Sequence, residues 1–183
     1  MQLFRLTNTT LFISYWVFMI VTYPTLPDQI PMHFGANGEA TRFSETSIFS
    51  WFLVPIIISI ILLPILYLIR NTQTLPIDSP WFNFPFKEHI LELEKDQQEK
   101  FQSLVSRYTG LLLHTAFFWM IILFLAVAMY NYIYATTEYS IPLFPFLMVH
   151  LLLMGVHVGW IVVRFKKRVG LKLTGIDGNS LEG

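Results

Sequence analysis

The chain has 183 residues, of which 54% are apolar and only 13% are charged, and its mean hydropathy is +0.54. Soluble domains carry about 25% charged residues, so this composition excludes an ordinary soluble fold. The formal net charge is zero, which argues against nucleic acid as a partner. Because the sequence contains no cysteine, disulfides and zinc–thiolate sites are excluded as well.

Four apolar stretches are long enough to cross a bilayer, which takes about 20 residues in a helix. They lie at residues 6–23, 48–69, 109–134 and 141–163. The sequence therefore predicts an all-α, multi-pass membrane protein with four transmembrane helices and the lipid bilayer as its surroundings.

The four spans form two predicted helical hairpins joined by a polar linker. The organisation we expect is a first hairpin at 1–69 that contains loop 24–47, a linker at 70–108, a second hairpin at 109–170 and a polar tail at 171–183. In the linker, Ile90, Leu93, Phe101, Leu104 and Tyr108 recur at the intervals of one helical face. This pattern predicts an amphipathic helix from about residue 87, which either lies on the membrane or continues into the third span.

Lysine and arginine are distributed very unequally about the predicted spans. Eleven of the twelve would lie on one side of the membrane, and only Arg42 would lie on the other. These residues collect on the cytoplasmic side of membrane proteins. We therefore expect both termini and the linker to be cytoplasmic and loop 24–47 to be extracytoplasmic.

Loop 24–47 has denser polar chemistry than the spans. Its prolines fix φ and its glycines permit φ > 0, which predicts an ordered loop with a defined shape. Asp28, His33, Glu39 and Arg42 are its candidate ligand-binding residues. In the alternative interpretation, these side chains cap turns and fold the loop over the helix ends. The Asp-x4-His-x5-Glu spacing matches no usual metal site, which disfavours a metal in the loop.

Three histidines, His114, His150 and His157, lie inside predicted spans, where an ionisable side chain is costly and is a candidate functional group. His114 and His157 lie at similar depths, so their imidazoles could meet if the third and fourth spans pack antiparallel. They could then bind haem or a divalent metal, relay protons, or form neutral hydrogen bonds between helices. The last interpretation is preferred, because no carboxylate in a neighbouring span completes a metal site. No cofactor is therefore predicted, and haem or metal stays the alternative.

The rest of the sequence favours a non-enzymatic protein. No Asp, Glu, Lys or Arg lies well inside a span, and no nucleophile elbow, phosphate loop or HExxH motif is present. Gly155 and Gly159 form a small-xxx-small pair that permits close helix packing. Together with the aromatic segment 81–86, this pair suggests an alternative role as the accessory subunit of a larger membrane complex.

One motif of the first hairpin resembles a known family. The matching positions are Tyr23, Pro24, Leu26, Pro27, Asp28, Ile30, Pro31, His33, Phe34, Gly38, Glu39, Arg42, Phe43 and Pro55. This pattern resembles the bacterial membrane domain of unknown function 1648, which also forms the N-terminal part of SdpI-type immunity proteins. The resemblance covers roughly residues 10–65. Two positions depart from the pattern, because Thr41 stands where an Asp is usual and Glu45 lies near an expected basic residue.

The resemblance implies a small multi-pass protein of the bacterial plasma (inner) membrane. SdpI-type proteins protect against an extracytoplasmic peptide toxin, and some signal its presence to a membrane-held regulator. By this resemblance, loop 24–47 would recognise an extracytoplasmic peptide or lipid-linked ligand, and the linker would contact a membrane-protein partner. If the usual Asp and base act as a pair in the family, that pair is absent here.

Overall fold

The computed structural model describes residues 2–71, Asp78 and 87–179, but not the side chains of residues 70, 71, 89 and 169–179. The described elements are α1 (Gln2–Thr22), a 3-10 turn (Tyr23–Thr25), β1 (Gln29–Phe34), β2 (Ala40–Glu45), α2 (Ile48–Asn71), α3 (Lys87–Leu91), α4 (Lys95–Thr137) and α5 (Leu143–Asn179). The predicted aromatic segment 81–86 lies outside the described residues.

Four of these helices are long and apolar enough to cross a membrane, which confirms the predicted number of spans. The candidate spans lie within Gln2–Thr25, Ile48–Ile69, Lys95–Thr137 and Leu143–Arg168. The second agrees with the predicted boundaries residue for residue. Pro55 and Pro64 lie inside α2, and the helix continues through both. Which side of the membrane each terminus faces stays a prediction.

The all-α prediction missed a β-hairpin in loop 24–47. β1 and β2 pair antiparallel, with Gln29 opposite Glu45 and Phe34 opposite Ala40, and register shifts lie on either side of His33. Strands form here because pairing satisfies the backbone donors and acceptors of two extended segments that have few helix-forming residues. The prediction of an ordered loop needs this one correction to its secondary structure.

The ends of the helices are fixed by local chemistry. Ser47 and Ser50 form a reciprocal cap at the start of α2, in which Ser47 Oγ accepts from Ser50 N at 3.0 Å and Ser50 Oγ accepts from Ser47 N at 2.9 Å. α4 ends at Glu138, whose φ of 57° is left-handed and whose N–H donates to the carbonyl of Tyr134 at 2.8 Å.

α4 is the central helix of the bundle, and it packs against α1, α2, α5 and β1. The most extensive helix–helix contact joins α1 to α4. The main core lies between α1, α2 and α4, and its most buried members include Tyr15, Leu62, Phe117 and Ile121. The two predicted hairpins therefore share one core.

The predicted amphipathic helix of the linker is interrupted. α3 ends at Leu91, and α4 begins at Lys95 and continues without a break into the third span. Ile90, Phe101 and Val105 form a second buried cluster, against which Phe165 of α5 packs. The apolar face of this segment therefore contacts protein, and α4 follows the predicted course into the bundle.

Candidate functional site

The turn of the hairpin depends on a glycine with an unusual backbone conformation. Gly38 has a φ of +86°, and its N–H donates to the carbonyl of Gly35 at 2.9 Å. A Cβ at this position would lie 1.9 Å from the carbonyl oxygen of Ile141. Gly38 therefore allows the turn to lie directly against the connection between α4 and α5.

Three polar side chains of α4 hold the hairpin over the end of the bundle. The hydroxyl of Tyr130 donates to the carbonyl of Gly38 and accepts from the N–H of Ile141 at 3.3 Å. The hydroxyl of Tyr134 accepts from the N–H of Ala40 at 3.2 Å. Asn131 Nδ2 donates to the carbonyl of Pro31 at 3.3 Å. These bonds satisfy backbone groups that the two strands leave unpaired.

An aromatic contact adds to these hydrogen bonds. The ring of Phe34 lies 5.1 Å from the ring of Tyr130 and 5.3 Å from the ring of Tyr134, and both pairs meet edge to face. Ile30 of β1 is completely buried in the main core. The hairpin is thus a packed part of the fold.

A cavity of about 150 Å³ lies beneath the hairpin. Its walls come from α1, β1, α2 and α4, and it is lined by Tyr15, Met19, Pro31, Met32, Phe34, Ser50, Trp51, Val54, Pro55, Phe124, Val127, Ala128 and Asn131. Trp51 is 3% exposed, and its Nε1 donates to the carbonyl of Met19 at 2.9 Å, which fixes the indole in the wall. The surface of the cavity is mainly apolar.

One acceptor in the cavity wall has no partner. Among the described residues, none donates a hydrogen bond to Asn131 Oδ1, although this atom is buried. Leaving a buried acceptor unpaired costs about 1–3 kcal/mol. A bound group with an N–H or O–H donor would remove that cost.

The four predicted ligand-binding residues lie on the exposed surface of the hairpin, outside the cavity wall. His33 and Arg42 lie opposite each other on β1 and β2. The carboxylate of Glu39 accepts from Asn37 Nδ2 at 2.8 Å, so this residue helps to shape the turn. The backbone carbonyl of Asp28 accepts from the N–H of Thr46 at 2.8 Å.

Thr41, the position that departs from the family pattern, contacts His33. Thr41 Oγ1 lies 2.7 Å from His33 Nδ1. It also donates to the carbonyl of His33 at 3.3 Å. A hydroxyl therefore stands beside the imidazole where the family pattern has a carboxylate. Phe43, also on β2, is 50% exposed, so the hairpin surface also offers an aromatic ring.

His114, which lies deep in the bundle, pairs with a residue of α1. Asn8 Nδ2 donates to the carbonyl of His114 at 3.0 Å and lies 3.2 Å from its Nδ1. An amide nitrogen is a donor only, so Nδ1 accepts and the neutral ring carries its proton on Nε2. In the described part of the chain, His114 Nε2, Asn8 Oδ1 and the neighbouring Thr115 Oγ1 are buried without partners.

His150 and His157 lie on either side of Trp119. Trp119 Nε1 donates to His157 Nδ1 at 3.2 Å, and the ring of His150 meets the indole edge to face at 5.1 Å. His114 therefore contacts Asn8, whereas His150 and His157 contact Trp119. Among the side chains that the structure describes, no three from His, Asp or Glu lie close enough together to share a metal ion.

The sequence match to known proteins coincides with the hairpin and the helices on either side of it. Residues 10–58 match the family model described as Domain of unknown function (DUF1648). The match confirms the resemblance that the loop motif predicted. The DUF1648 segment contains most of α1, the whole hairpin and the first part of α2, and thus many of the residues that line the cavity.

A comparison with individual proteins covers about half of the chain. A protein of Archaeoglobus fulgidus, described as an uncharacterized protein, is 32% identical over 94 residues, which are 51% of this chain and 49% of that protein. The chain therefore spans about half the length of the curated relative that it matches. No solved structure matches.

Sequence reasoning missed most of the residues that build this site. The sequence pattern gives Tyr130, Asn131 and Tyr134 no role beyond membership of the third span, and it gives Asn8 no role in the first. A usable signal was present, because Tyr130 and Tyr134 are four residues apart and therefore lie on one face near the end of an apolar helix. Polar groups at that depth need partners, and the neighbouring loop supplies backbone atoms.

Proposed function

We propose that this chain is a non-enzymatic membrane protein that binds and senses an extracytoplasmic ligand through its hairpin. The observation that carries the proposal is the cavity beneath the hairpin, with one unpaired acceptor in an apolar wall. A space of about 150 Å³ is large enough for a benzene-sized group. The ligand would place an apolar group with one hydrogen-bond donor there.

The exposed face of the hairpin would contact the polar part of the same ligand. His33, Arg42 and Phe43 offer an imidazole, a cation and an aromatic ring at exposed positions of the two strands. Such a set suits a peptide or a lipid-linked molecule that approaches from outside the membrane. An immunity-like role against an extracytoplasmic peptide is the form of this function that the resemblance to SdpI-type proteins implies.

Binding of 4-fluorophenol and fluorobenzene tests the cavity, because only the first carries a donor. Purified protein in detergent is titrated with each probe and followed by ¹⁹F NMR. We expect Val54→Phe, which adds a ring at the cavity wall, to abolish binding of both. Asn131→Leu should weaken 4-fluorophenol about tenfold, the effect of one lost hydrogen bond, and should leave fluorobenzene unchanged.

The matched control is Ile56→Phe, which adds the same ring to α2 at a residue outside the cavity wall. It should bind both probes as the wild type does. Equal binding by the wild type and Val54→Phe would show that the probes enter only the detergent, and the cavity proposal would fail.

A photocrosslinking amino acid at position 43 tests recognition in the native membrane. Phe43 lies on the exposed face of the hairpin, whereas Phe49, at the start of α2, is an equally large exposed control. We expect a discrete adduct at position 43 that is absent at position 49 and is lost when Arg42 is changed to Gln. Identical adducts at both positions would indicate contact with bulk lipid alone.

A role as an accessory subunit is the second candidate, and one observation favours it. A Cβ added at Gly155 or Gly159 would have no neighbouring atom within 4 Å among the described residues, so this face of α5 is open. Co-purification of a second membrane protein in fixed stoichiometry, lost in Gly155→Leu/Gly159→Leu, would support this role. Unchanged composition in the double variant would contradict it.

A further inference from the structure

At the end of the bundle opposite the hairpin, α4 and α5 enclose a pocket of about 650 Å³. It is lined by Leu104, Arg107, Tyr108, Arg164, Lys167 and Arg168. The rings of Tyr108 and Phe165 lie 5.2 Å apart and hold the two helices together at this level. The shape of the pocket is therefore set by a packed aromatic contact and by the buried cluster beneath it.

The charge of this pocket is of one sign. Both helices contribute cations, and no carboxylate is among its lining residues. On α4, Lys100 forms an ion pair with Asp96 at 3.0 Å. Neither of these residues lines the pocket, so this carboxylate is not part of its wall. Like charges that share one pocket repel each other, and a bound anion would remove that repulsion.

The position of the pocket indicates which anion would bind. Arg107 lies two residues before the predicted third span, and Arg164 immediately follows the predicted fourth span. The guanidinium of Arg164 also lies 4.0 Å above the ring of Trp160, an aromatic residue of the kind that occupies the membrane interface. The cations therefore lie at the level of lipid headgroups, with the half-buried Leu104 and Tyr108 forming an apolar wall beside them.

We propose that this pocket binds the phosphate-bearing headgroup of an anionic phospholipid. Arginine guanidinium groups bind phosphate oxygens in pairs of hydrogen bonds, and basic pockets between transmembrane helices are suited to such headgroups. The apolar wall would contact the glycerol and the first carbons of the acyl chains. This site is independent of the hairpin and its cavity.

Titration of the purified full-length chain with phosphatidylglycerol, followed by native mass spectrometry in a nonionic detergent, tests the proposal. We expect Arg164→Gln/Arg168→Gln to raise the apparent Kd about 30-fold, which corresponds to about 1 kcal/mol for each lost charge. Arg164→Lys/Arg168→Lys keeps the charge and should lose much less affinity. Arg107→Gln on α4 tests the opposite wall of the pocket if the double variant does not fold.

The matched control is Lys95→Gln/Lys166→Gln, which removes the same charge from exposed positions outside the pocket wall. Its Kd should change less than about threefold, since neither side chain lines the pocket and exposed charges are screened by salt. Equal losses in the two double variants would show attraction to a charged surface and would overturn the proposal.

Two further titrations distinguish the source of the phosphate. Phosphatidylcholine should bind far more weakly, and millimolar inorganic phosphate at constant ionic strength should leave the Kd for phosphatidylglycerol unchanged. If inorganic phosphate displaces the lipid with the same dependence on Arg164 and Arg168, the ligand is a soluble phosphate and the lipid assignment is wrong.

Discussion

The two ends of α4 are held by different chemistry. At the hairpin end, Tyr130, Asn131 and Tyr134 form neutral hydrogen bonds with backbone atoms of the hairpin and of the following connection. At the opposite end, α4 faces α5 across exposed cations. Buried backbone groups must be paired, whereas exposed charges are already solvated. The hairpin end should therefore determine stability, and the opposite end should be free to bind.

The turn at Gly38 should give the largest effect on stability. Gly38→Ala strains a backbone with positive φ, which costs about 1–3 kcal/mol, and it also forces a Cβ against the carbonyl of Ile141. We expect the free energy of unfolding to fall by about 3 kcal/mol or more, measured by SDS titration with circular dichroism. The control is Gly35→Ala, whose nearest contact is the flexible side chain of Asn37. Equal losses in both variants would contradict the packed turn.

Removal of the Tyr130 hydroxyl should cause the second-largest loss in the free energy of unfolding. Tyr130→Phe keeps the ring contact with Phe34 but leaves the Gly38 carbonyl and the Ile141 N–H without this partner. The expected loss is about 1–3 kcal/mol in the same titration. Tyr139→Phe removes a hydroxyl from an exposed tyrosine and should have no effect. A loss below about 0.5 kcal/mol for Tyr130→Phe would mean that water replaces the hydroxyl readily.

The pair of Asn8 and His114 lies between the two ends and should give an intermediate effect. Asn8→Ala removes both hydrogen bonds to His114, and hydrogen bonds between membrane helices contribute on average about 0.6 kcal/mol each. We expect a loss of about 1 kcal/mol. Thr9→Ala, at an exposed neighbouring position, is the control. If Asn8→Ala lost as much free energy of unfolding as Gly38→Ala, the contacts that determine stability would lie between α1 and α4 and not at the hairpin.

The charges at the end of α4 opposite the hairpin should matter least for stability. Arg164→Gln/Arg168→Gln should change the free energy of unfolding by less than about 0.5 kcal/mol when anionic lipid is absent. Added phosphatidylglycerol should stabilise the wild type more than this variant, because a ligand that binds only the folded state stabilises it. A large loss without lipid would remove the contrast between the two ends.

The membrane spans could be predicted from the sequence because they depend on local composition. Runs of about 20 apolar residues identify a span wherever it lies in the fold. The predicted start of the second span at Ile48 also agrees with the structure, since the Ser47–Ser50 cap is a local motif. Features that depend only on near neighbours along the chain could therefore be predicted from the sequence.

The hairpin and the partners of the histidines depend on contacts between distant residues. β1 has only six residues and contains Pro31, so its preference for a strand is weak until β2 and the polar side chains of α4 pair with it. The neighbours of His114 depend on how α1 and α4 are rotated about their axes. Sequence spacing within one helix does not fix that rotation, so the prediction considered His157 and missed Asn8.

The length and continuity of α4 have a mechanical consequence. α4 contains 43 residues and no proline, so it behaves as one rod that joins the ring of Tyr130 under the hairpin to the guanidinium of Arg107 in the charged pocket. These two residues are about 35 Å apart along the axis at 1.5 Å per residue. A tilt of about 5° at one end therefore moves the other by about 3 Å over that length. The hairpin and the charged pocket are joined by one continuous helix.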